Sequence, residues 1–117
     1  MNIPSSVKTL ISTDIVAYNI FTAISEASEF NPVEKGALEE YYGYDDRTIR
    51  KTVSKLREAG ARIGSCSGKS GYWLCTTDKE YRVLRNEYIS RIKTLAKIVR
   101  KMDRNLTGQI ELEFTGE

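Results

Sequence analysis

The chain contains no histidine and only two cysteines. Serine–histidine–aspartate triads and histidine-ligated metal sites are therefore excluded, as is any acid–base chemistry carried by histidine. Two cysteines can form at most one disulfide, and without histidine they fall short of the four ligands of a structural zinc site. We expect a protein without a bound metal.

Long apolar runs are missing as well. No stretch reaches the roughly eighteen apolar residues of a membrane span, and the first residues lack the pattern of a signal peptide. With 117 residues, 40% of them hydrophobic and 29% charged, the chain has the composition of one globular domain with its own core. The expectation is a soluble intracellular protein with no membrane partner.

A nucleotide-binding loop is also absent, because the glycine-rich stretch 67–71 lacks the GK[ST] spacing. Four carboxylates, Glu39, Glu40, Asp45 and Asp46, cluster near a predicted turn, but helix capping accounts for the aspartates without catalysis. The sequence predicts no enzyme activity and no cofactor.

The chain does have a pair of helical patterns between residues 31 and 60, separated by a short polar break. A capped helix start is predicted at Asn31, Pro32 and Glu34. The asparagine side chain can accept a hydrogen bond from a free backbone amide, proline has no amide hydrogen to leave unpaired, and the glutamate side chain can accept from the amide of the cap residue. This helix is predicted to end at Tyr42, before Gly43, which can take the left-handed conformation.

The second helix of the pair is predicted from its cap, Asp45, to about Gly60. Ile49, Val53 and Leu56 follow at spacings of four and three, so they share the buried face. Two short helices joined by a tight turn, the second apolar inside and basic outside, are typical of a helix-turn-helix. The side chains that lie away from the apolar face are Arg47, Arg50, Lys51, Ser54 and Arg57.

A further helix is predicted upstream, from residue 13 or 14 to about residue 29. Val16, Ile20, Ile24 and Ala27 recur there on one stripe, which indicates a strongly buried helix. Phe30 would then pack at the entry to the next helix as a hydrophobic staple.

Residues 1–12 have no clear pattern, and Pro4 with the following serines argues against an early regular helix. Two alternatives stay open for this segment. It is either a loose arm, or it packs onto the domain through Val7, Leu10 and Ile11.

Residues 61–77 predict two short strands around a turn. Ile63, Tyr72 and Leu74 supply the apolar positions, and the serines and glycines between residues 67 and 71 form the turn. Cys66 and Cys75 lie on the two strands, but they are not opposite each other if the turn is centred near residue 69, so free thiols are expected.

Together these pieces resemble the winged-helix family of DNA-binding domains, in particular the small winged-helix proteins encoded by bacteriophages and prophages. The resemblance is carried by DDRTIRK at residues 45–51, LREAG at residues 56–60 and GYWL at residues 71–74, and it covers residues 14–104. It implies an α+β, mainly α fold with a three-helix core, a β-hairpin wing over residues 61–76 and a long C-terminal helix.

In such a domain, residues 45–59 would form the recognition helix in the major groove. Arg47, Arg50, Lys51 and Ser54 would point at base edges and phosphates, with Thr48 serving either. The wing tip would reach a phosphate or the minor groove. The predicted DNA-binding residues are Arg47, Thr48, Arg50, Lys51, Ser54, Arg62 and Lys69.

The net charge of +2 is distributed unevenly: −4 over residues 1–44, +4 over 45–79, +5 over 80–104 and −3 over 105–117. Positive charge therefore starts where the recognition helix starts, as a phosphate-binding surface requires. The alternative is that these lysines and arginines are ordinary solvent-exposed charges that bind no phosphate. It stays open, above all for residues 80–104.

A second capping box, from Thr77 to Glu80, opens the longest helical pattern, residues 78–104. At about 25 residues and roughly 38 Å this helix outgrows a small domain, so we predict that it pairs with the same helix of a second copy. The alternative is a helix lying wholly on its own domain. The seam predicted to mediate dimerisation, which follows Tyr81, consists of Leu84, Tyr88, Ile92, Leu95, Val99 and Met102.

The acidic tail, residues 105–117, alternates polar and apolar residues, which predicts an edge strand. It also resembles the short glutamine–leucine–phenylalanine peptides by which bacterial and phage proteins bind the polymerase sliding clamp. The matching residues are Gln109, Leu112 and Phe114, with Ile110 in place of the more usual leucine. A strand, a clamp-binding peptide and a disordered tail all stay open.

The predicted organisation is an N-terminal arm (1–12), a winged helix-turn-helix domain (13–77), a long dimerisation helix (78–104) and an acidic tail (105–117). The predicted function is sequence-dependent binding of double-stranded DNA by a homodimeric phage or prophage transcription regulator in the cytoplasm of the bacterial host. The alternative is a phage protein-interaction module that binds or inhibits host replication or defence machinery, such as the sliding clamp through the tail.

Overall fold

The computed structural model describes residues 3–65 and 71–104. This part of the chain is mainly helical with a small three-stranded antiparallel sheet, which confirms a mainly α, α+β fold. The chain divides into two compact units, residues 1–81 (unit 1) and residues 82–117 (unit 2). In chain order, the described elements are α1 Ser5–Thr13, α2 Ile15–Ser25, β1 Val33–Glu34, α3 Lys35–Tyr42, α4 Asp46–Glu58, β2 Ile63–Ser65, β3 Gly71–Leu74 and α5 Asp78–Arg104.

The N-terminal segment departs from the prediction, because most of it forms helix α1. Pro4 stands directly before the helix, where its missing amide costs nothing, since the first amides of a helix have no partner inside it. The Pro4 carbonyl accepts from the amides of Val7 and Lys8 at 3.0 and 3.1 Å. Val7 is fully buried, and Leu10 and Ile11 pack against the core, so these residues belong to the domain and not to a loose arm.

Helix α2 begins where predicted, with the Asp14 carboxylate accepting from the amides of Val16 and Ala17 at 3.0 and 3.2 Å. It ends at Ser25, earlier than expected. Phe30 is 97% exposed, so the predicted hydrophobic staple is wrong. The reason is that a strand and not a helix follows Phe30, which leaves no first helical turn for its ring to pack on.

The predicted helix start at Asn31 is also wrong, because β1 occupies this place and α3 begins only after it. Strand β1 pairs with β3 through Val33 and Tyr72, which covers an edge of β3 that would otherwise be open. The local capping pattern cannot reveal such a long-range pairing. The end of α3 is as predicted: Gly43 has a φ of +76° and forms the left-handed C-cap.

Helix α4 agrees with the prediction at both ends and on its buried face. Asp45 accepts from the amide of Thr48 at 2.8 Å, and Gly60, with a φ of +107°, lets the chain turn back toward β2. The inner face of α4, formed by Ile49, Thr52, Val53 and Leu56, is buried.

The sheet has the order β1–β3–β2 and is antiparallel throughout. Ile63 lies opposite Leu74 and Gly64 opposite Trp73, so the two strands predicted after α4 are present, whereas the predicted turn lies outside the described residues. Cys75 is a buried free thiol, as expected.

Unit 1 has an apolar core to which helices α1 to α4 and strands β2 and β3 contribute. Full burial of one leucine or isoleucine side chain stabilises a fold by roughly 1.5–3 kcal/mol. The inner face of α4 is therefore firmly held, which fixes the direction of its outer face. The core residues are Val7, Ala17, Ile20, Phe21, Ile24, Leu38, Ile49, Val53, Leu56, Ala61, Ile63 and Leu74.

Helix α5 begins with the predicted capping box. The Thr77 hydroxyl accepts from the amide of Glu80 at 3.1 Å, and the Glu80 carboxylate accepts from the amides of Thr77 and Thr76 at 3.2 and 3.0 Å. These bonds, led by the one from Thr76, lower the pKa of Glu80. The helix has 27 residues and is thus roughly 40 Å long.

Candidate nucleic-acid interface

The outer face of α4 consists of Arg47, Arg50, Lys51 and Ser54. Arg47, Lys51 and Ser54 recur at steps of four and three, which places them on one line opposite the buried face, and all are exposed. Arg50 flanks this line, and its side chain is 70% exposed. A ligand that reaches this face meets guanidinium and ammonium donors, which suit phosphates and the acceptor atoms of guanine.

The same line continues to Glu58, which is exposed near the C-terminal end of α4. The positive charge of the outer face is therefore concentrated in the first two turns. The N-terminal end of a helix also carries the positive end of the helix dipole. An anionic ligand is thus bound best at the N-terminal half of α4.

Two carboxylates stand at this end of α4, and both are engaged by protein groups. Hydrogen bonds from the side chain and amide of Thr48 lower the pKa of Asp45. The hydrogen bond from the Lys35 ammonium, 2.6 Å away, is the main cause that lowers the pKa of Asp46. Asp46 also lies 3.3 Å from Arg50, so one aspartate orients two cations.

Thr48, one of the predicted DNA contacts, also stabilises the start of α4. It is half-buried, and it gives both its amide and its side chain to Asp45. A threonine held in this way orders the first turn of α4. Its predicted contact with DNA stays a prediction.

Three further basic residues attach α4 to its neighbours. Lys35 of α3 pairs with Asp46 at 2.6 Å, and Lys55 pairs with Asp14 at the start of α2 at 3.4 Å. Arg57 donates from Nε to a carbonyl of β2 at 3.0 Å. The basic residues of this region thus divide into those that hold the helix and those that face outward, and periodicity alone does not separate Lys55 and Arg57 from the outer face.

The remaining predicted DNA contacts lie apart from the outer face or cannot be placed. The Arg62 guanidinium lies 3.9 Å above the centre of the Tyr81 ring and 3.9 Å from a carboxylate oxygen of Asp78, so it is directed to the start of α5. Lys69 lies outside the described residues. The structure therefore brings together four of the seven predicted residues: Arg47, Arg50, Lys51 and Ser54.

The predicted dimerisation seam lies on α5, and most of its apolar side chains reach solvent. Leu84 and Tyr88 are half-buried, and the Arg91 guanidinium lies 4.7 Å from the centre of the Tyr88 ring. The predicted partner-binding residues of the tail, Gln109, Leu112 and Phe114, lie outside the described residues. The exposed members of the seam are Ile92, Leu95, Val99 and Met102.

A tyrosine cluster at the turn between α3 and α4 was not predicted as a surface feature. The rings of Tyr42 and Tyr44 stack with centroids 5.4 Å apart, and Tyr41 meets Tyr42 edge-on at 4.7 Å. Asn19 of α2 donates to the Tyr44 hydroxyl at 3.0 Å, and burial raises the pKa of Tyr42. Three tyrosines within residues 41–44 are the sequence signal for this cluster.

The chain matches no protein-family model, no curated protein and no solved structure. Among residues 3–65 and 71–104, none of the helices has both the length and the apolar character to cross a bilayer. The outer face of α4 is accordingly the observation from which a function can be inferred.

Proposed function

We propose that this protein binds double-stranded DNA through the outer face of α4 and acts as a winged-helix transcription regulator of a phage or prophage. The observation that carries the proposal is that Arg47, Arg50 and Lys51 reach solvent side by side while the opposite face of α4 is locked into the core. A recognition helix needs this combination, because its side chains enter the groove from a rigid support.

The roles of the individual residues follow from their contacts. Arg47 and Lys51 point outward from the first two turns and are suited to guanine edges and phosphates. Arg50 is oriented by Asp46, which is itself held by Lys35, so this guanidinium is partly ordered before DNA arrives. Ser54 provides a hydroxyl that can donate to or accept from a base or a phosphate.

The order of elements supports the winged-helix interpretation. Helices α2, α3 and α4 contribute to one core, and the antiparallel strands β2 and β3 follow α4 directly. In this proposal the two strands form the base of the wing, and Lys69 stands in the connection between them. A wing in this place would contact the DNA backbone beside the groove occupied by α4.

We further propose that the regulator is a dimer paired through the seam of α5. Exposed apolar side chains in the last turns of the helix, such as Leu95 and Met102, supply the surface that a second copy would bury. Two recognition helices related by a twofold axis would read two half-sites, so the bound sequence is expected to be palindromic.

Selection of bound sequences from random duplex DNA, followed by affinity measurements, tests the proposal. The Arg47→Gln/Lys51→Gln variant is expected to bind the selected sequence at least about tenfold more weakly, and the slope of log affinity against log salt should fall by about 0.9 for each phosphate that is no longer neutralised. The matched control is Lys8→Gln/Arg85→Gln, which removes two exposed cations from other helices and changes the net charge equally. If the outer-face variant binds like this control and selects the same sequence, α4 is not the recognition helix.

A protein-interaction module that binds or inhibits a host protein is the second candidate, and exposed apolar side chains in unit 1 favour it. Phe30 is 97%, Tyr41 80% and Ile15 69% exposed, and aromatic residues are enriched at protein interfaces. For such a module, Phe30→Ser/Tyr41→Ser should abolish capture of a host protein while Arg47→Gln/Lys51→Gln leaves it intact. The opposite pattern would exclude these side chains as the contact surface.

A further inference from the structure

Helix α5 carries a second concentration of positive charge, within unit 2. Six basic residues lie on one side of the helix, opposite the seam, because their spacings are three residues, four residues or sums of these. Every one of the six is exposed. We call this side the cationic face. It consists of Arg82, Lys93, Lys97, Arg100, Lys101 and Arg104.

Within this face the cations repel one another along the helix. Lys93, Lys97 and Lys101 are spaced by four residues, and Arg100 and Arg104 repeat the same step, so each lies beside a like charge. Like charges at this spacing destabilise a helix. Of the acidic residues of unit 2 that the structure describes, Glu87 is not three or four residues from any cation of the face, whereas Asp103 is three residues from Arg100 but forms no ion pair with it.

The same cations are not neutralised within the part of the chain that the structure describes. No ion pair joins any of the six to a carboxylate among residues 3–65 and 71–104. By contrast, the basic residues that stabilise unit 1, such as Lys35 and Lys55, each have an aspartate partner. Repulsion along the helix that no ion pair of the described residues offsets is relieved when an external polyanion binds.

We propose that the cationic face binds the phosphate backbone of double-stranded DNA. This contact is independent of sequence and is additional to the one that α4 makes. This inference rests on the proposed function. From Lys93 to Arg104 the helix advances roughly 16 Å and carries five of the six cations, about one every 4 Å, which is comparable to the phosphate spacing of roughly 3.4 Å along the axis for one DNA strand. Lysines and arginines on long flexible stems reach phosphates well but distinguish bases poorly unless a groove positions them.

An anionic membrane surface fits this helix less well than DNA does. A helix that lies on a membrane inserts the apolar side opposite its basic side into the lipid, so that apolar side has to be free. In the proposed dimer a second copy covers the apolar seam and leaves the cationic face outward. A charged face without an available apolar partner favours a hydrated polyanion.

The test compares three full-length proteins binding a random-sequence duplex over a range of salt concentrations. Lys97→Gln/Lys101→Gln removes two cations from the face, whereas Arg85→Gln/Arg91→Gln removes two from other sides of the same helix and changes the net charge equally. The slope of log affinity against log salt should fall by about 1.8 for the first variant, since each phosphate that a cation neutralises contributes about 0.9, and by less than half of that for the second. Without DNA, the first variant should also keep at least the wild-type helix content, because it relieves repulsion.

The outcomes separate this inference from the proposed function. Equal slopes for the two variants, with Arg47→Gln/Lys51→Gln still losing the selected sequence, overturn the cationic face alone. Failure of the wild-type protein to bind any duplex overturns both. Binding of vesicles of 70% phosphatidylcholine and 30% phosphatidylglycerol that Lys97→Gln/Lys101→Gln abolishes, together with an unchanged slope on DNA, would assign the face to a lipid surface instead.

Discussion

At the scale of single residues, Gly64 shows how a side chain is excluded by its neighbour. Gly64 lies opposite Trp73 in the sheet, and a Cβ atom added at position 64 would stand 2.5 Å from Cε2 and 2.7 Å from Cζ2 of the indole. Among the described glycines only Gly43 and Gly60 have a positive φ, so at Gly64 the requirement comes from packing and not from the backbone angle. The indole packs against the bare backbone of β2.

Gly64→Ala should therefore displace the Trp73 ring and destabilise unit 1 by roughly 1–3 kcal/mol, as overpacking usually does. Trp73 is the only tryptophan of the chain, so its fluorescence reports on this contact directly. We expect a shifted emission maximum in the folded variant and a lower midpoint in urea unfolding followed at the same wavelength.

Gly36→Ala is the matched control, because a Cβ at position 36 meets nothing within 4 Å. Position 36 lies in α3, where alanine is favoured over glycine by roughly 0.5–1 kcal/mol. This variant should be as stable as the wild type or slightly more stable, with unchanged emission. Equal unfolding midpoints for both alanine variants would show that the indole does not need the space above Gly64.

Which residues form the outer face of α4 could be predicted from the sequence, because the apolar spacing of Ile49, Val53 and Leu56 fixes the opposite side. The partners of the surrounding charges could not. Lys55 pairs with Asp14, 41 residues away along the chain. The spacing of apolar residues within one helix does not indicate such a long-range pair.

At the scale of elements, the helix starts that depend on a side-chain cap were predicted well. The predicted caps of α4 and α5 form as expected, and α2 begins where its apolar pattern predicts, because each of these starts needs only residues within four positions. Helix α1 was missed since its start carries no side-chain cap, and β1 was missed since a two-residue strand exists only through its pairing with β3. Local chemistry thus predicts the caps but not an element that depends on a distant partner.

The cap of α2 makes the stability of unit 1 depend on pH. The amide of Ala17, aided by Lys55 and the amide of Val16, holds the pKa of Asp14 below 3.8 against the opposing effect of burial. A carboxyl whose pKa is lower in the folded than in the unfolded state contributes stability above the unfolded pKa, and this contribution is lost as the pH falls through the folded pKa. Asp14→Asn keeps a cap acceptor but removes the charge.

We expect urea unfolding at pH 6 to show Asp14→Asn less stable than the wild type, and the difference to shrink as the pH falls below about 3.8. Asp14→Ala, which also removes the hydrogen-bond acceptor, should lower the free energy of unfolding by about a further 1 kcal/mol at pH 6 and at pH 3 alike. A stability difference between the wild type and Asp14→Asn that stays constant from pH 6 to pH 3 would show that the charge of Asp14 does not contribute.

At the scale of the whole molecule, charge is segregated between surfaces with different roles. Residues 1–44 carry a net charge of −4, whereas residues 45–79 and 80–104 carry +4 and +5. The segments that contain α4 and α5 are thus both cationic, and each of these helices also has an apolar side. For α4 that side is buried in the core, and for α5 much of it reaches solvent.

The exposed seam of α5 predicts the oligomeric state. Leu95, 61% exposed, and Met102, 56% exposed, are one heptad apart and would lie in the seam along the last turns of the paired helices. Leu95→Gln/Met102→Gln should convert a dimer, about twice the chain mass of 13.3 kDa, into a monomer in sedimentation experiments. Affinity for a palindromic site should fall by about 10²-fold or more, because the second half-site is then no longer bound within the same molecule.

Val83→Gln is the control for this prediction, since Val83 is 59% exposed on α5 but does not belong to the seam. It removes an exposed apolar side chain from the same helix, and it should leave both mass and affinity unchanged. A wild-type mass of one chain at the concentrations at which the protein binds DNA would contradict pairing through α5. If the wild type is a dimer and the Leu95→Gln/Met102→Gln variant stays one, the partner copy packs elsewhere, because two polar side chains one heptad apart in the seam would weaken the pairing of the helices.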